Sequence, residues 1–126
     1  MPRFVVQDHR ARTHHYDVRL ERDGVLVSWA VPKGLPERPG ERRLAIRTPD
    51  HPLDHIEFAG TIPEGDYGAG EVTIHDHGEY EPVTWSGDRI EVRLRGERGE
   101  GTYVFVPFRK AGPDQWLVLR KKDGRA

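Results

Sequence analysis

Short runs of β-branched and aromatic residues recur along the chain between Gly, Pro and Asp. They fall at Phe4 to Gln7, His15 to Glu21, Val25 to Val31, Arg43 to Arg47, Glu71 to His75, Arg89 to Arg95, Thr102 to Phe108 and Trp116 to Arg120. Eight short strands with close turns predict an all-β fold, a compact single-domain β-barrel with short helical turns in its loops. Asp23-Gly24 between two runs predicts a tight hairpin, because a two-residue turn needs positive φ. Pro32, Pro36 and Pro39 open a loop that cannot donate ladder hydrogen bonds. Pro63-Glu64-Gly65 and Gly68-Ala69-Gly70 mark another loop, around Tyr67. A helical turn is expected near Pro52 to Ile56, Asp76 to Gly78 reads as a strand end and turn, and Arg125-Ala126 reads as a frayed end.

The alternation is sharpest in His15-Tyr16-Asp17-Val18-Arg19-Leu20-Glu21. Successive strand side chains point to opposite faces, so Tyr16, Val18 and Leu20 face the core and His15, Asp17, Arg19 and Glu21 line the other side. His and Asp two apart on one face can converge on a metal. His9 can join them if Arg10-Ala11-Arg12-Thr13 is a loop that lets it swing back over the strand. Two imidazoles and a carboxylate suit a first-row divalent metal with open positions for substrate. The competing reading is an ordinary half-exposed strand with its polar side in water.

Asp50-His51-Pro52-Leu53-Asp54-His55 is a second cluster, with Lys33, Arg42, Arg43 and Arg47 before it as cations that could face an anion. His75-Asp76-His77 is a third, read as surface. Two other functions remain open from the residues alone. A small cupin-like non-haem metal oxygenase could complete a facial triad on His15 and Asp17 with a distal His51, His75 or His77. A noncatalytic nucleic-acid-binding β-barrel would need stacking aromatics, and Trp29, Tyr67, Tyr80 and Trp85 show no pattern.

The chain's 126 residues contain 35% hydrophobic and 33% charged positions and no Cys. That length predicts one domain over 1–126, and the missing cysteines exclude disulfides, thiolate zinc sites and iron–sulfur clusters. No apolar run reaches the ~18 residues of a membrane span, so a soluble, cytoplasmic, monomeric protein is expected. The net charge of −1 is unevenly spread: residues 1–50 hold ten Lys/Arg against seven Asp/Glu, residues 51–100 four against twelve, and residues 101–126 six against two. Charge alone selects no partner, since an anion-binding groove needs local rather than overall basicity.

Longer motifs in order change the picture. Phe4-Val5-Val6-Gln7 and His9 precede His15 to Glu21, then come Ser28-Trp29-Ala30-Val31-Pro32-Lys33-Gly34, Arg43-Leu44-Ala45-Ile46 and Asp50-His51-Pro52-Leu53. Gly60, Ile62-Pro63, Tyr67-Gly68-Ala69-Gly70 and Trp116 to Asp123 follow. Over almost its whole length the chain resembles the 3′-phosphoesterase domain of bacterial DNA ligase D and its stand-alone relatives.

The resemblance implies a β-barrel that heals DNA 3′ ends in the prokaryotic cytoplasm, during non-homologous end joining. The activity would remove a 3′-phosphate to leave a 3′-hydroxyl and trim 3′-terminal ribonucleotides, on DNA or DNA/RNA ends at primer-template junctions. The implied cofactor is Mn2+, with Co2+ or Zn2+ as alternatives, on His9, His15 and Asp17. Arg19, His51 and His55 fall on the phosphate-contacting positions, with Lys33 and Arg43 as supports. A protonated His51 would also serve as general acid to the leaving 3′-oxygen.

Two departures stand out. The family usually has Tyr where this chain has His55, so activity is expected to fall as the pH rises through that residue's titration. The barrel also starts at Phe4, without the N-terminal segment that helps relatives engage nucleic acid, which bears on trimming more than on phosphate removal. Nothing ligase-like follows Asp123, so unless the chain is an excised domain, an ATP-dependent DNA ligase and an end-binding protein are expected as separate partners.

Overall fold

The structure is a computed structural model and describes residues 1–122. Asp123 and the expected frayed end at Arg125-Ala126 lie outside the described residues. Nine strands follow in order: β1 (Arg3–Arg10), β2 (His14–Arg22), β3 (Val25–Val31), β4 (Arg42–Pro52), β5 (Gly60–Ile62), β6 (Gly70–Trp85), β7 (Ile90–Gly96), β8 (Gly99–Pro107) and β9 (Gln115–Arg120). Two 3₁₀ turns, Leu53–Glu57 and Arg109–Ala111, are the helical elements among the described residues. The strands run antiparallel in the order β1-β2-β3-β4-β9-β8-β7-β6-β5, and β1 also pairs with β6. That extra pairing closes eight strands into the expected barrel and leaves the three-residue β5 outside it, on the edge of β6. Three residues are too short to show a period, so β5 was invisible in the pattern. No helix among the described residues is long and apolar enough to cross a membrane.

Two strands are longer than their apolar runs, for identifiable reasons. β6 does not end at His75 but runs sixteen residues to Trp85. Its first half pairs with β1 and its second half with β7, so Gly78 is no turn. It faces Phe4 on one side and Gly96 on the other, and a Cβ there would overlap the Arg95 carbonyl. Pro82, which has no N–H to give, sits where the β6–β7 register shifts. β4 likewise continues to Pro52 through a register break against β3, between Leu26 and Ser28. His51 is therefore held on a strand, opposite Leu26. The Asp23-Gly24 hairpin forms as predicted, with φ of 50° and 83°.

The barrel interior is one apolar cluster. Phe4 and Val6 of β1, Val18 and Leu20 of β2, and Val27, Trp29 and Val31 of β3 meet Tyr80, Val92, Phe105, Trp116 and Val118 from the far wall. The Trp29 ring stacks on Phe105 with centroids 4.3 Å apart and meets Trp116 edge-on at 5.6 Å. Arg47 closes this cluster with its guanidinium carbon 5.2 Å from the Trp29 ring centre. Tyr80 donates its hydroxyl proton to the Glu21 carbonyl, tying β6 to the end of β2.

Trp29 is fully buried at the centre of this network. Trp29→Ala should lower the unfolding free energy by about 3–5 kcal/mol, the range for deleting a buried aromatic side chain. Urea denaturation measures this directly, and a loss under about 1 kcal/mol would mean that the interior repacks around the gap.

Candidate active site

Alternation on the first three strands gives the barrel wall a second, outward face. Opposite in parity to the interior residues are Val5, Gln7 and His9 on β1, His15, Asp17 and Arg19 on β2, and Leu26 and Ser28 on β3. Register places His9 directly across from His15, Gln7 across from Asp17, and Arg19 across from Ser28. His9 is thus part of a strand and needs no swing of a loop to reach His15. Nor is this face half-exposed. Gln7 is 0% exposed, Arg19 4%, His9 6% and Asp17 7%.

The cover is the segment between β4 and β6. Ile56 and Leu53 of its 3₁₀ turn pack on Val5 and Leu26, forming a small apolar cluster outside the barrel. Gln7 pins the segment by donating from Nε2 to the carbonyls of His55 (3.0 Å) and Phe58 (3.2 Å). Farther along, the Gly68 carbonyl lies 2.7 Å from His9 Nε2.

These contacts set the proton positions. His9 Nε2–H donates to the Gly68 carbonyl, and His15 Nδ1–H donates to the Thr13 carbonyl at 2.9 Å. Each ring then turns its other nitrogen toward Asp17: His9 Nδ1 lies 3.1 Å from one carboxylate oxygen and His15 Nε2 3.3 Å from the other. One ligand atom from each residue falls within 4.8 Å of the others. Lone pairs of two neutral imidazoles facing carboxylate oxygens repel unless a proton or cation lies between them. The donor set therefore fits a divalent first-row ion, with both outer N–H groups anchored on backbone carbonyls as metal-binding histidines usually are. Without such an ion the proton takes its place: the hydrogen bond to Asp17 raises the His15 pKa, against the pull of burial. Burial would raise the Asp17 pKa, but His15, Arg19 and His9 outweigh it and hold the carboxyl below its usual range.

Arg19 sits beside this group in a fixed pose. Nε donates to Gln7 Oε1 at 2.7 Å, Nη1 donates to Ser28 Oγ at 2.9 Å, and Nη2 lies 3.5 Å from Asp17. Burial lowers its pKa and Asp17 opposes this, and a guanidinium remains charged at any physiological pH. His51 Nδ1 lies 2.9 Å from Arg19 Nη1, and the His55 ring lies 5.0 Å from the His51 ring and stacks on Phe58. Burial first, then Arg19, lowers the His51 pKa. Burial, Arg19 and His51 push that of His55 down to about 4. Both rings are thus mainly neutral at pH 7, each with one N–H to donate. In the free protein the titration of His55 therefore lies below the neutral range, and that of His51 is shifted in the same direction.

His9, His15, Asp17, Arg19, His51 and His55 are brought together. Lys33 and Arg43 are not. Arg43 shares the inward parity of Ala45 on β4. Its Nη1 donates to the carbonyls of Lys33, Gly34 and Leu35, and its Nη2 meets Glu41 at 3.0 Å. With Lys33 it lines a cavity of about 410 Å³ at the barrel mouth, on the other side of the wall. Arg43 holds the loop after β3 and does not face this cluster. Of the distal histidines of the oxygenase reading, His75 packs near Tyr16 at 5.2 Å and His77 pairs with Glu97 at 3.1 Å, away from this cluster, while His51 lies within it beside Arg19.

Gln7 is the residue that reading by charge missed. Its only signal was an amide ending an apolar run, two positions before His9 and so on the same face.

Residues 7–107 match the family described as the DNA Ligase D 3′-phosphoesterase domain. The multifunctional non-homologous end joining protein LigD of Mycolicibacterium smegmatis is 46% identical over 132 residues, covering 96% of this chain and 17% of that protein. The corresponding protein of Mycobacterium bovis is 48% identical over 124 residues, with 95% and 16% covered. That of Pseudomonas aeruginosa is 42% identical over 130 residues, with 98% and 16% covered. The chain thus spans about a sixth of the length of these relatives.

Gln7→Leu should keep the fold but free the Arg19 fork and the 3₁₀ turn together, and kcat/KM should fall by about 10²-fold, the penalty for a small misplacement at a reacting site. Steady-state kinetics beside a circular dichroism melt checks this, and unchanged kinetics would show that Ser28 and Asp17 suffice to hold Arg19. For His55 the sign is set by its depressed pKa. The unfolded chain takes up a proton near pH 6.5 that the folded protein refuses until about pH 4, so stability falls across that window as the pH drops. His55→Tyr removes this uptake. The urea midpoint of the natural chain should therefore drop more than that of the variant between pH 6.5 and 4, with parallel behaviour above pH 7; identical slopes throughout would mean that His55 is fully solvated.

Proposed function

The chain belongs to the DNA ligase D 3′-phosphoesterase domain family, and on that premise we propose that it removes the 3′-phosphate from DNA ends to leave a 3′-hydroxyl. The observation that carries this reading is the single patch in which three convergent ligand atoms adjoin a buried arginine and two neutral imidazole donors. That is the complement a phosphate monoester needs, because phosphoryl transfer relies on positioning and on neutralising charge on the phosphate oxygens.

His9 Nδ1, His15 Nε2 and a carboxylate oxygen of Asp17 would hold a divalent cation, with Mn2+ as the leading candidate and Co2+ or Zn2+ as alternatives that the same donors accept. When bound, such an ion supplies Lewis-acid charge neutralisation at a phosphate oxygen. Arg19 binds a second oxygen of the same phosphate, its pose already determined by Gln7, Ser28 and Asp17. His51 Nδ1 lies 2.9 Å from Arg19 Nη1 and 3.0 Å from the Pro49 carbonyl, so Nε2 is the ring nitrogen left to meet the phosphate. His55 donates beside it as a neutral group. A dianionic phosphate favours the cationic form of either ring, and a ring charged in that way can pass its proton to the departing 3′-oxygen. The same residues would serve a 3′-terminal ribonucleotide.

The relatives' names place those proteins in non-homologous end joining. We propose that this chain heals 3′ ends at primer-template junctions for an ATP-dependent DNA ligase, with an end-binding protein bringing the ends together in the cytoplasm.

Release of inorganic phosphate from a 3′-phosphorylated DNA primer tests the reading. The protein should be active with Mn2+ and silent after EDTA. His9→Ala, His15→Ala and Asp17→Ala should each lower turnover by at least 10²-fold, in line with removal of a group essential to transition-state charge stabilisation. Arg19→Lys should lower turnover severely while manganese content, measured by elemental analysis, stays at the natural level, because Lys lacks the planar fork. Full activity in EDTA or in any one of the three alanine variants would overturn the assignment.

A further inference from the structure

The four aromatics without a pattern in the sequence are sorted by the fold. Trp29 and Tyr80 lie inside the barrel. Trp85 is half-buried under Arg22, whose guanidinium carbon is 4.4 Å from the ring centre. Tyr67 alone of the four stands in solvent, 95% exposed. It precedes Gly68, whose carbonyl accepts from His9, so consecutive residues anchor a candidate ligand and present a bare ring.

The loop holding that ring is tied down. Asp66 N donates to the Pro63 carbonyl and Ala69 N to the Asp66 carbonyl, both at 3.2 Å, giving two successive turns. Gly65 and Gly68 take φ of 93° and 75°, which the turns require. Gly70 then lies against the Arg10 carbonyl and Ala11, so the loop leans on the β1–β2 turn. Folding gains nothing from an aromatic ring left in water on such a constrained loop. A ligand face would remove it from water.

We propose that Tyr67 is the platform on which the 3′-terminal nucleobase of the substrate strand stacks while its phosphate lies against Arg19 and His51. This rests on the phosphoesterase reading above and names how the same site holds the rest of the nucleotide. Two carboxylates of the same loop, Glu64 and Asp66, are exposed as well, so this surface repels phosphate and suits an uncharged base face. Arg10 at the end of β1 and Arg12 on the adjoining turn, both exposed, offer positive charge to the backbone of a strand leaving the site. Every base has a π-face, so the platform tolerates any terminal base but needs one to be present.

The test compares the natural chain with Tyr67→Ala, Tyr67→Phe and Tyr67→Trp on two 3′-phosphorylated oligonucleotides, one complete and one whose last sugar is abasic. Affinity is read in EDTA by fluorescence anisotropy of the 5′-labelled strands, and kinetics are read with Mn2+. On the complete strand, Tyr67→Ala should weaken binding and raise KM by about 10- to 100-fold, the range for loss of one base–aromatic stack, with kcat within about twofold. Phe and Trp should keep the natural values. On the abasic strand the natural chain should fall to the level of Tyr67→Ala. Equal losses on both strands, or none on either, would overturn the platform. Failure of the natural chain to release phosphate from either strand would overturn the phosphoesterase reading instead, and anisotropy would still decide the stacking.

Discussion

Pairing of β1 with β6 is the contact on which the rest depends. It turns a nine-stranded sheet into a closed wall whose two faces differ: one encloses an apolar interior, the other is free to carry polar chemistry. A barrel of eight strands is narrow enough for side chains to fill, and here Trp29, Phe105, Trp116 and Tyr80 occupy its centre. The reactive groups are therefore excluded from the interior and collect on the outer wall of β1, β2 and β3. Their positions inherit the rigidity of the core directly, since every outward residue alternates with an inward one on the same strand.

Buried charge on that wall is stable because each group is answered. Asp17 has His9, His15 and Arg19 around it, and Arg19 has Gln7, Ser28 and Asp17. Removing one partner from such a set leaves another buried and unmet, at a cost of about 3–5 kcal/mol for a broken buried ion pair. Gln7 matters out of proportion to its chemistry, because one amide joins the arginine to the covering segment. Its oxygen accepts from Arg19 and its nitrogen donates to two carbonyls around the 3₁₀ turn. Closure over the wall and orientation of the cation are thus a single event, and the low dielectric that results keeps His51 and His55 neutral.

Much of this was legible beforehand where local rules apply. Period-two alternation in His15 to Glu21 separated Val18 and Leu20 from Asp17 and Arg19, and the Asp23-Gly24 turn followed from the need for positive φ. The errors came where a residue's usual role was overridden from outside. Asp76 to Gly78 reads as a strand end, yet Gly78 fills a spot too tight for a side chain in the middle of β6. His55 has an ordinary titration in isolation, and only its neighbours move it. The resemblance groups Lys33 and Arg43 with the phosphate contacts, but the barrel turns Arg43 inward onto the carbonyls of Lys33, Gly34 and Leu35, away from Arg19.

The sequence by itself determined the eight strands of the barrel, the two-faced pattern of β2, the family, and which residue types could meet a metal and a phosphate. Only the tertiary structure decided that His9 lies across from His15, that His51 reaches Arg19 from a strand thirty-odd residues away, that Arg43 turns inward, and that Tyr67 is left bare beside the site. The reason is physical. Alternation and turn chemistry act over two to four residues and are written locally, whereas register, closure and burial are set by pairings between distant strands, and those pairings exist only once the barrel has closed.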